Sequence, residues 1–195
     1  MSVAHVKGQA CKQDSGRSKL RGVRTTVTLE RWGSGDLPLL ERLMGDPRMT
    51  EHLGGPESEE KLDERQARYE RIVGEAGPGG VFAVCIGPDA AAVGWVGYWE
   101  HTWHGQTVWE IGWSVVPEWQ RRGIATRAVS LLLERMTGDE PDRAILAYPS
   151  VENDASNAVC RKAGMRLIGE AVVEFPPGNP FMANEWAFQP PSERS

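Results

Sequence analysis

One segment constrains the fold more than any other, Val108 to Met136, VWEIGWSVVPEWQRRGIATRAVSLLLERM. An apolar run over 108–116 reads as a strand and stops at Pro117, which cannot donate to a ladder. A polar loop containing Gln120, Arg121, Arg122 and Gly123 follows. Beyond it Ala125, Ala128, Val129, Leu132, Leu133 and Met136 recur at spacing 0, 3, 4, 7, 8 and 11, one face of a helix that Gly138 is placed to end. Strand, tight turn and amphipathic helix in that order must pack the helix back onto a sheet. The turn itself opens the helix, where backbone N–H groups lack partners and the dipole end is positive. Gly123 allows close backbone approach, and arginine forks suit phosphate oxygens. The segment therefore reads either as a pyrophosphate cradle or as a tight turn with solvated arginines. It is neither a P-loop nor a dinucleotide fingerprint, because the required Gly-Lys-Ser/Thr and three-glycine spacings are absent.

The rest of the chain supplies the sheet. Residues 25–31 alternate as a first strand, 35–45 read as a helix with Leu37, Leu40, Leu43 and Met44 on one face, and Ser58 caps a second helix to about Val73. Strands are expected at 81–86 and 92–100, with HTWHGQ as the loop leading to 108–116. The short apolar run 143–147 follows a helix and reads as a central parallel strand. Asn153 or Asp154 caps a last helix closed by Gly164, and two strands at 166–175 and 182–188 finish the domain. The sum is an α/β domain with a mixed, mostly antiparallel sheet and helices on both faces.

Charge bounds the function. Twenty-two Lys and Arg against 27 Asp and Glu give a formal net charge of −5, which argues against a general nucleic-acid binder. Residues 1–24 hold six basic residues and one acid, leaving the remainder near −10. Residues 1–23 are expected to be a flexible basic tail, 24–190 one domain, and 191–195 a second tail. No apolar run has the length of a membrane span, and three widely spaced cysteines (Cys11, Cys85, Cys160) indicate neither disulfides nor zinc, so a cytoplasmic protein is expected. His101 and His104 lack a third ligand, so no metal is expected there.

Three motifs in order carry a family resemblance. QRRGIA resembles the Gln/Arg-x-x-Gly-x-Gly/Ala motif of the GNAT acetyltransferase superfamily. ERLMGDPRMTEHLGG and NDASNAVCRKAGMRLIGE resemble its ribosomal-protein N-terminal acetyltransferase branch, and the similarity covers about residues 25–188. The resemblance implies about seven strands, with a V-shaped splay between strands 4 and 5 that takes acetyl-CoA. The pyrophosphate would lie on Gln120, Arg121, Arg122, Gly123, Ile124, Ala125 and Thr126, and the pantetheine arm along Trp113, Ser114 and Val115. An N–H near Val115 would stabilise the oxyanion that develops at the thioester carbonyl. Asn153, Ser156 and Asn157 complete the expected cofactor contacts. Glu110 matches the strand position of the proposed base, which would take a proton from the acceptor amine. Cys160 stands where many relatives carry an acidic Tyr, and Ser156 matches a proposed substitute. Asn153 reads equally as a helix cap and Ser156 as a first-turn hydroxyl bonding the backbone.

Six tryptophans fall between Trp95 and Trp119. They read as cross-strand packing or as aromatic walls for a cationic amine, with Trp95, Trp99, Trp103, Glu100 and Glu110 on the acceptor side. The implied activity is transfer of acetyl from acetyl-CoA to a primary amine, on a small molecule or a peptide N-terminus, by a monomer or homodimer without nucleic acid or membrane. The competing readings are an acyl-CoA-binding module without turnover and transfer of another acyl group such as succinyl.

Overall fold

The computed structural model describes residues 26–188 apart from 52, 75–77, 88 and 141. Both expected tails, and Cys11 with them, lie outside the described residues. The seven strands are β1 (Val27–Arg31), β2 (Gly79–Ile86), β3 (Ala91–Trp103), β4 (Gln106–Val115), β5 (Ile145–Ala147), β6 (Arg166–Glu174) and β7 (Pro180–Phe188). The helices are α1 (Leu37–Met44), α2 (Glu59–Gly74), α3 (Ile124–Asp139) and α4 (Asp154–Lys162). The sheet order is β1-β2-β3-β4-β5-β7-β6, antiparallel throughout except for β4 and β5. This is the mixed α/β architecture expected from the sequence.

The core forms where helices cover both sheet faces. On α3, Ile124, Ala128, Val129, Leu132, Leu133 and Met136 are buried, and each fully buried aliphatic side chain contributes about 1.5–3 kcal/mol. Ala125 is only partly buried and Ile124 takes its place, because the first turn opens toward a cleft. Gly138 lies within α3 rather than ending it; the helix runs to Asp139. Trp32, Tyr69 of α2 and Trp95 of β3 meet in sequence, edge-to-face and then tilted, with ring centroids 5.4 Å apart at each step. Gln66, also on α2, accepts from Trp32 Nε1 at 3.0 Å and donates to Gly33 O at 2.9 Å, which satisfies a buried amide.

The β3–β4 hairpin differs from the expected loop at 101–106. Both strands extend to a two-residue turn, His104-Gly105, with φ of 46° and 78°. Two left-handed residues match the twist of paired strands, so the turn stays tight. His101, Thr102 and Trp103 therefore belong to β3.

The parallel pair is short. β4 and β5 meet only at Trp109↔Ile145 and Glu110↔Leu146. After Ala147 the chain stays with β7 instead: Asn184 N donates to Pro149 O at 2.9 Å, and Val151 N to Met182 O at 3.0 Å. β4 runs on to Val115 without its neighbour, and the expected splay opens there. No helix of the described residues is long and apolar enough to cross a membrane.

Candidate functional site

The splay forms the inner end of a cleft of about 1410 Å³ between β4, the segment after β5, the starts of α3 and α4, the α1–α2 side and strands β6 and β7. Backbone polarity in it follows from register. Trp109 N donates to Ala144 O at 2.9 Å and Val116 N to Val93 O at 2.9 Å, so odd-numbered β4 residues direct their backbone groups toward β5 and even-numbered ones toward β3. Beyond the last paired residue, the backbone groups of Trp113 and Val115 point into the opening. Gln120 Nε2 donates to Val115 O at 2.9 Å and ties the following loop to the strand end.

That loop is tightly wound. Arg121 has φ of 59°, a left-handed conformation that costs a non-glycine residue about 1–2 kcal/mol, and Gly123 has φ of 77°. Arg127 N is the first amide of the helix start to find an acceptor, Gly123 O at 3.0 Å. The amides of residues 121–126 have no acceptor among the described residues. A Cβ built on Gly123 meets nothing within 4 Å, so the cleft side of the turn is open. Converging free N–H groups at the positive end of a 16-residue helix fit an anionic pyrophosphate, and the open backbone edge of β4 fits an extended amide-bearing arm. These residues therefore fit coenzyme A. A Gly123→Ala variant is expected to raise the KM for acetyl-CoA several-fold and to lose about 1 kcal/mol of stability, because the cost is conformational rather than steric. Saturation kinetics in acetyl-CoA and thermal melting check both.

The candidate base lies on the opposite side of β4 from Trp109. Alternation places Glu110 with Gly112 and Ser114, facing Trp95 and Trp99. Its side chain is 24% exposed, and His101 Nδ1 is 3.2 Å from its Oε2, an ion pair whenever His101 is protonated. Burial pushes the Glu110 carboxyl up to about 7, against a smaller pull from the Trp99 indole. At Gly112 a Cβ would lie 2.9 Å from Trp99 Cη2 and 3.2 Å from Trp95 Cη2, so the two indoles occupy the space a side chain would need. Trp95 Nε1 is buried without a partner among the described residues. A Gly112→Ala variant is expected to displace these indoles and lower kcat/KM for the acceptor about ten-fold, with little change for acetyl-CoA, corresponding to an overpacking cost of about 1–3 kcal/mol. Separate titrations of the two substrates distinguish the effects.

The sequence-expected residues divide. Trp95, Trp99, Trp103, Glu110, Trp113, Ser114, Val115, Gln120, Arg121, Gly123, Ile124, Ala125, Thr126, Asn153 and Ser156 all line the cleft. Three do not. Glu100 alternates to the other face, where its Oε1 accepts from Arg143 Nη2 at 2.6 Å, so it is not on the acceptor side. Arg143 in turn stacks over Trp109 at 3.7 Å. Arg122 folds back over the Trp119 ring at 4.5 Å. Asn157 is 6% exposed and committed inside the protein: Nδ2 donates to Ser150 O and Asn153 O, both at 2.9 Å, and Oδ1 accepts from Asn184 Nδ2 and Trp186 Nε1, both at 2.8 Å.

On α4, Asn153 is the cap, its Oδ1 accepting from Ser156 N at 3.0 Å. The Ser156 hydroxyl makes no hydrogen bond among the described residues and faces the cleft. Cys160 is fully buried, and burial pushes its thiol up to about 12, so it packs as an apolar group. Sequence reasoning missed Tyr148 and Glu185, which also line the cleft. Tyr148 follows β5 directly, and the period-2 alternation from Leu146 was the available signal for its facing.

The comparisons agree with this architecture. The family model described as an acetyltransferase (GNAT) domain matches residues 26–166. No curated protein matches the chain by sequence. A GNAT-family acetyltransferase from Bacillus anthracis superposes with a TM-score of 0.68 at 22% identity, over 84% of this chain and 94% of that one. The aminoglycoside acetyltransferase AAC(6')-Ib in complex with ribostamycin and coenzyme A gives 0.67 at 21%, over 87% and 98%. RimL, a ribosomal-protein α-N-acetyltransferase in complex with coenzyme A, gives 0.66 at 16%, over 85% and 94%. At these identities the structural likeness speaks for the fold, while the family match spans well over half of the sequence. Open helix-start amides, a splayed parallel pair and the matched domain together mean that the chain belongs to the acetyltransferase (GNAT) family and is an acetyl-CoA-dependent acetyltransferase.

Proposed function

We propose that the acetyl group passes to a primary amine, on a small molecule or a peptide N-terminus, and that Glu110 is the base that takes the amine's proton. The single observation that carries this is the Glu110 carboxyl. It is half-buried on the cleft wall, beside the open end of β4, with its proton affinity raised to about 7. An ordinary surface glutamate is too weak a base to draw a proton from an ammonium group, and a raised one is better matched to the task. The Trp95 and Trp99 indoles that line the cleft beside it suit a cationic or ring-bearing acceptor.

Acetyl-CoA supplies an activated acyl carbonyl and a thiolate leaving group. The chain's own residues hold and orient. The amides of residues 121–126 offer an anion seat, and the open Trp113 backbone groups with the Val115 N–H offer a strand-like edge. The Val115 N–H is directed into the opening, where it can donate to an oxygen gaining charge. The Ser156 hydroxyl, free of other bonds, is the available proton donor on α4. Arg122 and Asn157 support the site from behind, through Trp119 and through the start of α4.

The test is CoA release, followed by thiol detection, across N-terminal peptides, aliphatic amines, aminoglycosides and amino acids. Release with an amine that is strongly reduced in Glu110→Gln supports the reading. Saturable acetyl-CoA binding with no release for any amine would overturn it in favour of a binding module. A preference for succinyl-CoA would replace the donor.

A further inference from the structure

A second carboxylate faces the same cleft. The β5–β7 pairing, Ile145↔Phe188, Leu146↔Ala187 and Ala147↔Trp186, runs on to set Tyr148 opposite Glu185. Leu146 is the β5 partner of Glu110, and Tyr148 lies two residues beyond it, where the splay opens. Alternation then puts Glu110, Tyr148 and Glu185 on one face of the sheet. Trp103 reaches across that face, packed on Val108, Leu146 and Ala187, and its Nε1 donates to Glu185 Oε1 at 3.1 Å. The Tyr148 hydroxyl is buried without a partner among the described residues, and its ring lies 5.3 Å from His101. Burial first, then the negative charge of Glu185 and Glu110, keeps that hydroxyl protonated.

Glu185 has no cationic partner among the described residues, whereas two arginines of the same cleft are matched, Arg65 with Glu57 and Arg48 with Asp46. An unneutralised carboxylate, aimed by an indole N–H, is arranged to meet a cation. Strand spacing sets the separation: two strands across and two residues along places the Cα atoms of residues 110 and 185 about 12 Å apart.

We propose that Glu185, oriented by Trp103 and flanked by Tyr148, is a second cation subsite, and that the acceptor is a diamine or longer polyamine. One amino group gives its proton to Glu110 and attacks the thioester while a second ammonium is held by the Glu185 carboxylate. The proposal rests on the reading of Glu110 as the base for an amine. It adds a selectivity that Glu110 alone does not provide.

The test compares kcat/KM for linear α,ω-diamines of about three to eight carbons with that for n-alkyl monoamines of the same length, because a charge-assisted hydrogen bond in a partly buried site is worth about ten-fold or more. The readout is the diamine-to-monoamine ratio, which cancels effects on folding and on acetyl-CoA. In the wild type the ratio is expected to exceed ten at the best chain length. Glu185→Gln, which still accepts from Trp103, should bring it near one through the diamine KM. Glu185→Asp should retain part of the preference and move the optimum to a longer chain. A wild-type ratio near one, or a Glu185→Gln variant that keeps the wild-type ratio, overturns the subsite while leaving amine acetylation standing. Acetyl-CoA turnover with neither kind of amine, nor with peptides, overturns the amine reading and the subsite together.

Discussion

Glu110→Gln is expected to lower kcat/KM for acetyl transfer by about two to four orders of magnitude, the range that general-base catalysis supplies. Glutamine keeps the size and one oxygen but cannot accept the proton. The acetyl-CoA KM should change little, since Glu110 lies on the acceptor side of β4 while the helix-start amides are elsewhere. The pH profile identifies the role. The base works when deprotonated, so kcat/KM in the wild type rises with pH through about 7, where burial has placed the carboxyl. A further rise at higher pH belongs to the amine itself. The variant should lose the limb near 7 and keep the other. A variant that retains both limbs and most of its activity would remove Glu110 from the chemistry.

Stability gives an independent reading of the same group. The folded carboxyl binds its proton more tightly than the unfolded one, with a value near 7 against 4.5. The folded state is therefore favoured at low pH, and stability is lost as pH rises between these values, then stays level. The loss is of order 1–3 kcal/mol for a shift of this size in a partly exposed group. Glu110→Gln should abolish that slope and be the more stable protein at pH 8, measured by denaturant titration at both ends. Activity and stability then move in opposite directions, as they do when a charge is buried for function.

Asn157→Ala should give one of the largest stability losses of a single substitution, about 2–4 kcal/mol, because it leaves two donors, the buried Trp186 Nε1 and Asn184 Nδ2, without their acceptor. For a domain of this size the melting temperature should fall by about 2–4 °C per kcal/mol. Asn157 joins three pieces: the Ser150 turn after β5, the Asn153 cap of α4, and β7 through Asn184 and Trp186. The same bonds hold Asn153 and Ser156 at the cleft, so kcat should fall modestly at temperatures well below the melt. A variant that melts with the wild type would show that the network contributes nothing net.

The two largest effects fall on residues of opposite legibility. Glu110 stood out in the sequence because a charge within an apolar strand is rare, and alternation assigned its facing without any partner being known. The strand–turn–helix of residues 108–139 and the Asn153 cap were legible for a similar reason: periodicity and turn chemistry act within a few residues. Asn157 read as a cofactor contact because a helix position near a motif says nothing about which neighbour will take its amide. Glu100 is expected on the acceptor side because it borders the hairpin loop, yet one step along a strand reverses the face, and Arg143 claims it there. The hairpin loop was drawn too long because the His104 backbone takes a left-handed conformation that its residue type does not announce.

What the sequence by itself determined is every feature set by local period: the elements, the helix that opens on free amides, and the side of β4 on which Glu110 sits. The tertiary structure alone decided where the last two strands sit. β7 inserts between β5 and β6, and that one topological choice draws the chain after Ala147 away from β4 and opens the cleft. It also brings Glu185 beside Tyr148 from far along the chain. Strand order is decided by the summed burial of both sheet faces and by long-range pairing, and neither leaves a mark on a short stretch of residues.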